Sequence, residues 1–250
     1  MAKTMTPRAR LRDRLWTVNR RIILLTLGRS ASRVLLTREI SENGQASRRW
    51  LPSDVDRFLS KVAAVAEDLR PVANLDALPK AGNRLMVEMA IFTSAAYRVL
   101  LDEGVPADSA RALVADVGWD YYARLLRLTS LPFRLTSRDP GRRLRRTIRL
   151  LLRFPFSAPG APGYAVNVRT EGPDILTDFT HCPPQTFVRT LIATQGDRGD
   201  LEAFRQSWCK YDWPGADLIA DDGQRGHYVR RQTLSAGDPR CDMCCAARGH

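Results

Sequence analysis

The sequence predicts an α+β fold, with an N-terminal helical half packed on a C-terminal antiparallel sheet that carries a helical insertion. Three observations predict it. Apolar residues recur at helical spacing as far as Arg153. The loop Pro159-Gly160-Ala161-Pro162-Gly163 then breaks that period, and beyond it short β-branched and aromatic runs alternate with turn residues. Residues 1–15 read as a basic flexible start, 16–158 as the helical half and 164–250 as the sheet part, all one continuous domain after the start.

The elements follow in order. An arginine-punctuated apolar stretch between Leu15 and Leu36 reads as a helix that Gly28 and Ser30 break or end. Pro52-Ser53-Asp54 starts a second helix, with Ser53 as N-cap and Asp54 and Asp56 in the first turn, where the helix dipole favours acids. It ends before Pro71. Leu85, Met89, Phe92, Ala96 and Val99 give the face of a third helix over 81–103, with Met86 and Met89 as core filler. Pro106-Ala107-Asp108 opens a fourth that reaches Leu128. This helix pair has no basic polar face for a DNA groove, so no specific nucleic-acid partner is expected.

From Arg142 to Arg153 arginines interleave with Leu144, Ile148, Leu151 and Leu152, so the leucine stripe faces the core or an anionic membrane surface while the arginines snorkel. Residues 164–169 and 175–180 read as a hairpin about the turn Glu171-Gly172-Pro173-Asp174. Helices follow over 184–193 and 201–207, and strands over 216–220, 228–234 and 241–245.

Composition bounds the function. A chain of 250 residues with 44% hydrophobic and 26% charged residues buries a substantial core, and its net charge of +12 attracts anions without choosing among nucleic acid, lipid and small carboxylates. The run Ile22-Ile23-Leu24-Leu25 is short, arginine-flanked and lacks a cleavage site, so a cytoplasmic location is expected. Five cysteines then stand in a reducing compartment, kept for reactivity, metal binding or burial.

The chemistry-bearing residues fall in three short segments. Cys182 sits at a strand-to-helix junction, where free helix amides lower a thiol pKa, and is the leading nucleophile candidate. His181 and Thr180 precede it. Cys209 and Asp212 stand three apart between Trp208 and Trp213, whose rings form an apolar wall that raises a carboxylate pKa. Arg230 or Arg231 faces inward from its strand and holds a carboxylate, with Thr233, Gly237, Cys241 and Asp242 beyond it. Cys241-x-x-Cys244 lacks a second pair, and a strand sends these two thiols to opposite faces, so no metal is expected.

Thr180-His181-Cys182-Pro183, then Cys209-x-x-Asp212, then Arg230-x-x-Thr233 with Gly237 and Cys241-Asp242, resemble the C-terminal pattern of the L-2-amino-thiazoline-4-carboxylic acid hydrolase family over residues 165–243. Met243 stands where that family usually has Phe, and Cys244-Cys245-Ala246-Ala247 replaces a more aromatic ending. The resemblance implies hydrolysis of a carbon–nitrogen double bond in a small carboxylate-bearing cyclic amidine, without a cofactor. Cys182, Cys209, Asp212 and Asp242 are the expected catalytic residues, and Arg230, Thr233, His181 and Thr180 the expected substrate-binding ones. A non-catalytic small-molecule or metal-binding sensor domain is the other reading.

Overall fold

The structure, a computed structural model, describes residues 7–42 and 44–247, with side chains from Trp16 onward outside position 43. Eight helices and six strands are ordered in the α+β arrangement expected, helices first and the main sheet in the C-terminal half. These counts are of the described residues.

α1 (Pro7–Leu35) corrects two expectations. The start is helical from Pro7 rather than flexible to residue 15, since Pro suits a first helical position and the Ala, Arg and Leu after it are good helix formers. Residues 1–6 lie outside the described residues. Gly28 and Ser30 do not break the helix either. A Cβ at Gly28 would stand 3.3 Å from Leu59 Cδ1, so this glycine lets the second helix approach closely rather than ending the first.

The short strands β1 (Glu39–Ile40) and β2 (Arg48–Arg49) pair antiparallel and lead into α2 (Pro52–Leu69). Its N-cap is Leu51, not Ser53. Leu51 has no side-chain acceptor, so Asp54 reaches back and accepts the Leu51 N–H at 2.9 Å. Hydrogen bonds from Arg48, then the Leu51 amide and Arg57, hold that carboxyl well below the usual range despite some desolvation.

A 3₁₀ pair over 70–77 leads to α3 (Ala81–Asp102), and α4 (Ala107–Thr136) returns antiparallel, continuing through Pro132 beyond the expected end at Leu128. α3 is the central helix. Its Glu88 is fully buried and accepts from Arg20 of α1 at 2.9 Å and from Arg70 at 3.1 Å, which ties three segments to one carboxylate. α5 (Pro140–Arg153) carries the arginine run. Its apolar stripe faces inward: Leu144 is fully buried, and Arg143 is buried too, donating to the Ala220 carbonyl at 2.9 Å.

The main sheet is antiparallel in the order β3-β4-β6-β5, from β3 (Ala165–Glu171), β4 (Asp174–His181), β5 (Tyr228–Arg230) and β6 (Cys241–Cys245). Between β4 and β5 lie α6 (Pro183–Gln195), α7 (Asp200–Gln206) and α8 (Asp212–Ala220). α8 overturns the strand expected over 216–220. Its buried Gly215, Ala216, Ile219 and Ala220 follow helical spacing, and an apolar run that short has no period of its own. β5 also stops at Arg230 instead of residue 234. The Asp242 carboxylate accepts the N–H groups of Arg231 and Gln232 at 2.8 and 2.6 Å, and Asp238 that of Thr233 at 2.7 Å, so side chains replace a strand partner there.

A buried pair fixes the insertion on the helical half. Arg98 of α3 donates to Asp200 at the start of α7 through two bonds of 2.8 and 3.0 Å, with Asp200 fully buried. Removing one partner strands the other charge in the interior. Asp200→Ala is therefore expected to lower the unfolding free energy by about 3–5 kcal/mol in urea titrations; a loss under about 1 kcal/mol would show that water replaces the pair.

Candidate functional site

Strand alternation builds the floor of the site. Thr177 and Phe179 of β4, Tyr228 and Arg230 of β5, and Cys241, Met243 and Cys245 of β6 all point to one face, and helices α3, α4, α5 and α8 roof it. Between floor and roof lies a cavity of about 140 Å³. Its roof side chains include Met86, Tyr122, Leu126, Leu151 and Leu152, so the apolar stripe of α5 faces this cavity.

Of the residues singled out in the sequence, Cys182, Cys209, Asp212 and Arg230 line the cavity together. Cys182 comes there through a register slip. Ala165 faces His181 while Val166 faces Phe179, so Thr180 has no partner on β3, and the extra residue reverses the alternation at the end of β4. Thr180 is exposed as a result. His181 turns away from the lining; its Nδ1 donates to the Gly163 carbonyl at 2.6 Å and its Nε2 lies 3.1 Å from Thr186 Oγ1. Both ring nitrogens are thus engaged away from the Cys182 thiol, and the ring is not part of the cavity lining.

Asp242 and Thr233 also stand outside the cavity. Asp242 has the opposite parity to Cys241 and Met243, and its carboxylate is occupied by the two backbone amides described above. Those bonds hold it below the usual range against desolvation, the largest contribution, so it is suited to holding a loop rather than moving protons. Thr233 Oγ1 lies 3.4 Å from Cys241 Sγ, behind the wall. Cys244 faces away from the cavity, unlike Cys241 and Cys245.

The electrostatics separate the thiols from the carboxylate. Cys182 is the N-cap of α6, as a thiolate site requires, yet Pro183 and Pro184 fill the first two helical positions and have no N–H to offer. The thiol accepts no capping hydrogen bond, and the nearby Gln185 amide exerts only a weak downward pull. Burial among apolar side chains outweighs that pull and pushes the thiol well above its ordinary value, the reverse of the activation expected. Cys209 is pushed up to about 12, again by burial, against a hydrogen-bond contact with Ser235 Oγ at 3.3 Å.

Asp212 opens α8 and is, among the described residues, the one carboxylate in the lining. Burial raises it to about 6, while Arg230 and the Tyr228 hydroxyl oppose the rise from 3.1 and 3.2 Å. Its side chain keeps 26% of its surface, which opens on the cavity. Arg230 also donates to the Cys209 carbonyl at 2.5 Å and lies 4.6 Å over the Trp213 ring, so the guanidinium is fixed in position. Trp208 lines the cavity, and its Nε1 donates outward to Thr93 at 2.8 Å.

Tyr122, Tyr164 and Tyr228 are site residues that sequence reasoning missed. The phenol of Tyr211 approaches α4 where Gly118 has no side chain and donates to Ala115 O at 2.6 Å, which seats the start of α8 beneath the helical roof. Tyrosines at core spacing give no signal of the cavity they edge. Among the described residues no group of three or more His, Cys, Asp or Glu is placed to hold a metal ion, and no helix is long and apolar enough to cross a membrane.

No family model, curated protein or solved structure matches this chain. The raised thiol predicts slow alkylation: at pH 7.5 iodoacetamide should modify Cys209 at least about 100-fold more slowly than a free cysteine, because the thiolate is the reactive form. Peptide mass spectrometry over time reads this. Labelling at the free-cysteine rate would contradict the burial described.

Proposed function

We propose that the cavity hydrolyses a small carboxylate-bearing cyclic amidine, in the manner of the L-2-amino-thiazoline-4-carboxylic acid hydrolases that the three C-terminal segments resemble. The observation that carries this reading is the Asp212–Arg230 pair, with Asp212 raised to about 6 by burial. Such a carboxylate is ionised at neutral pH and basic enough to take a proton in a transition state.

A zwitterionic amidine can exchange with the pair, its carboxylate meeting Arg230 and its amidine nitrogen meeting Asp212. Water then adds to the C=N carbon and gives one proton to Asp212, while the ring nitrogen takes up the other through solvent. The tetrahedral carbon collapses with cleavage of its bond to the ring nitrogen, which receives the proton back from Asp212. One water is added in total, and the carbon leaves as a carbonyl. Neutral thiols at Cys182 and Cys209 favour this water route over covalent attack, since the thiolate is the nucleophile.

The same neutral thiols suit a non-catalytic small-molecule-binding domain, the second reading. Turnover of 2-amino-thiazoline-4-carboxylate by the purified protein separates the two. Asp212→Asn should lower kcat by about 100-fold or more, and an undiminished rate would sink the assignment. Cys182→Ser should retain activity by the water route and lose it if the thiol attacks. Asp212 must be ionised to accept a proton, so kcat/KM should fall as pH drops below about 6. Tyr228→Phe removes a hydrogen bond that favours the ionised form and should move that limb to higher pH.

A further inference from the structure

We infer that the cavity binds an aryl carboxylate, burying one six-membered carbon ring between α5 and the sheet with its carboxylate directed at Arg230. This goes beyond the proposed function, as a second ligand class for the same cavity, and rests on that reading only for placing the carboxylate at Arg230.

Volume sets the size of the apolar body. At about 140 Å³ the cavity is close to the roughly 150 Å³ engineered hole, lined by Leu, Ile and Phe, that stays dry and takes up benzene. The lining matches in kind: Leu126, Leu151, Leu152, Phe156, Phe179 and Met243 surround it with carbon and one thioether. Polar ring atoms find partners only at the Asp212–Arg230 end of the cavity, so the part of a ligand that meets these walls is carbon.

The unspent polar groups set the head. Asp212 already accepts from both Arg230 and Tyr228. The hydroxyls of Tyr122 and Tyr164 donate to nothing among the described residues, and both side chains line the cavity, as do the neutral thiols of Cys182 and Cys209. What remains for a ligand is a set of donors, with further N–H groups on Arg230. A head rich in acceptors and poor in donors satisfies such a set, and a carboxylate adds charge complementarity to Arg230.

The probes are acetate, phenylacetate, 3-phenylpropionate and toluene, titrated calorimetrically against the 250-residue chain, with tryptophan fluorescence compared against a Trp208→Phe variant as a second readout. Phenylacetate or 3-phenylpropionate should bind about 10- to 100-fold tighter than acetate, the gain from burying a ring. The near-isosteric double variant Tyr122→Phe, Tyr164→Phe should weaken the aryl carboxylates about 10-fold or more and leave toluene unchanged. Equal affinities for acetate and phenylacetate would overturn the inference. So would a double variant that weakens toluene as much as the acids. If 2-amino-thiazoline-4-carboxylate is hydrolysed while the aryl acids neither bind nor inhibit, this inference fails and the proposed function stands; aryl acids that bind without any thiazoline turnover give the converse.

Discussion

The arrangement of the site depends on one charge that has been taken out of water. Asp212 lies at the cavity wall between the helical roof and the sheet, with 26% of its side-chain surface open, and desolvation there raises it toward the neutral form. Arg230 opposes that rise, and in doing so joins the start of α8 to the end of β5. The guanidinium needs its own restraint, which comes from the Cys209 carbonyl on one side and the Trp213 ring on the other. Each of these groups belongs to the insertion between β4 and β5 or to β5 itself. The helical insertion is thereby fastened over the sheet edge by the same contacts that set the acidity of its carboxylate.

The thiols show how small sequence details decide electrostatics. A cysteine at a helix N-terminus normally gains from several free amides. Here two prolines remove the nearest ones, and Thr186 N–H bonds to the Cys182 carbonyl instead. What is left for the sulfur is an apolar wall and no capping hydrogen bond. Burial then wins, since the nearby Gln185 amide offsets only part of the cost of desolvating a thiolate. The prolines that make the strand-to-helix junction easy to recognise are also what keeps its thiol neutral.

The sheet hairpin, the position of Cys182 before α6 and the closeness of Cys209 to Asp212 were legible because Gly, Pro and aromatic residues mark them locally. Legibility failed where direction matters more than spacing. Cys241 and Asp242 are equivalent in a one-dimensional pattern, and only the pairing of β6 with β4 decides that the thiol faces in and the acid out. Thr180 and His181 were displaced from the site by a one-residue slip that no composition signal announces. Met86, Leu151 and Leu152 read as core because core and cavity wall demand the same residues; a missing atom on the far side leaves no trace in the sequence. α8 reads as a strand from the sequence because its buried run is too short to carry a period.

Under the proposed function the pair is more than an anchor, because a ligand carboxylate and Asp212 compete for the same guanidinium. Three charges at one place are unfavourable when two are negative and the surroundings are apolar. The least costly resolution is for one carboxylate to take a proton. Asp212, already raised by burial, is the one prepared to do so, and losing part of its share of Arg230 raises it further. Anion binding is then linked to proton uptake, so affinity for a carboxylate ligand is greatest below the Asp212 value and weakens as pH rises through it. The same linkage leaves Asp212 more basic in the complex than in the free protein. A group that must first accept a proton from water gains from this rise only in the complexes that keep it ionised, so the added basicity and the lost ionised fraction oppose each other as pH falls toward the Asp212 value.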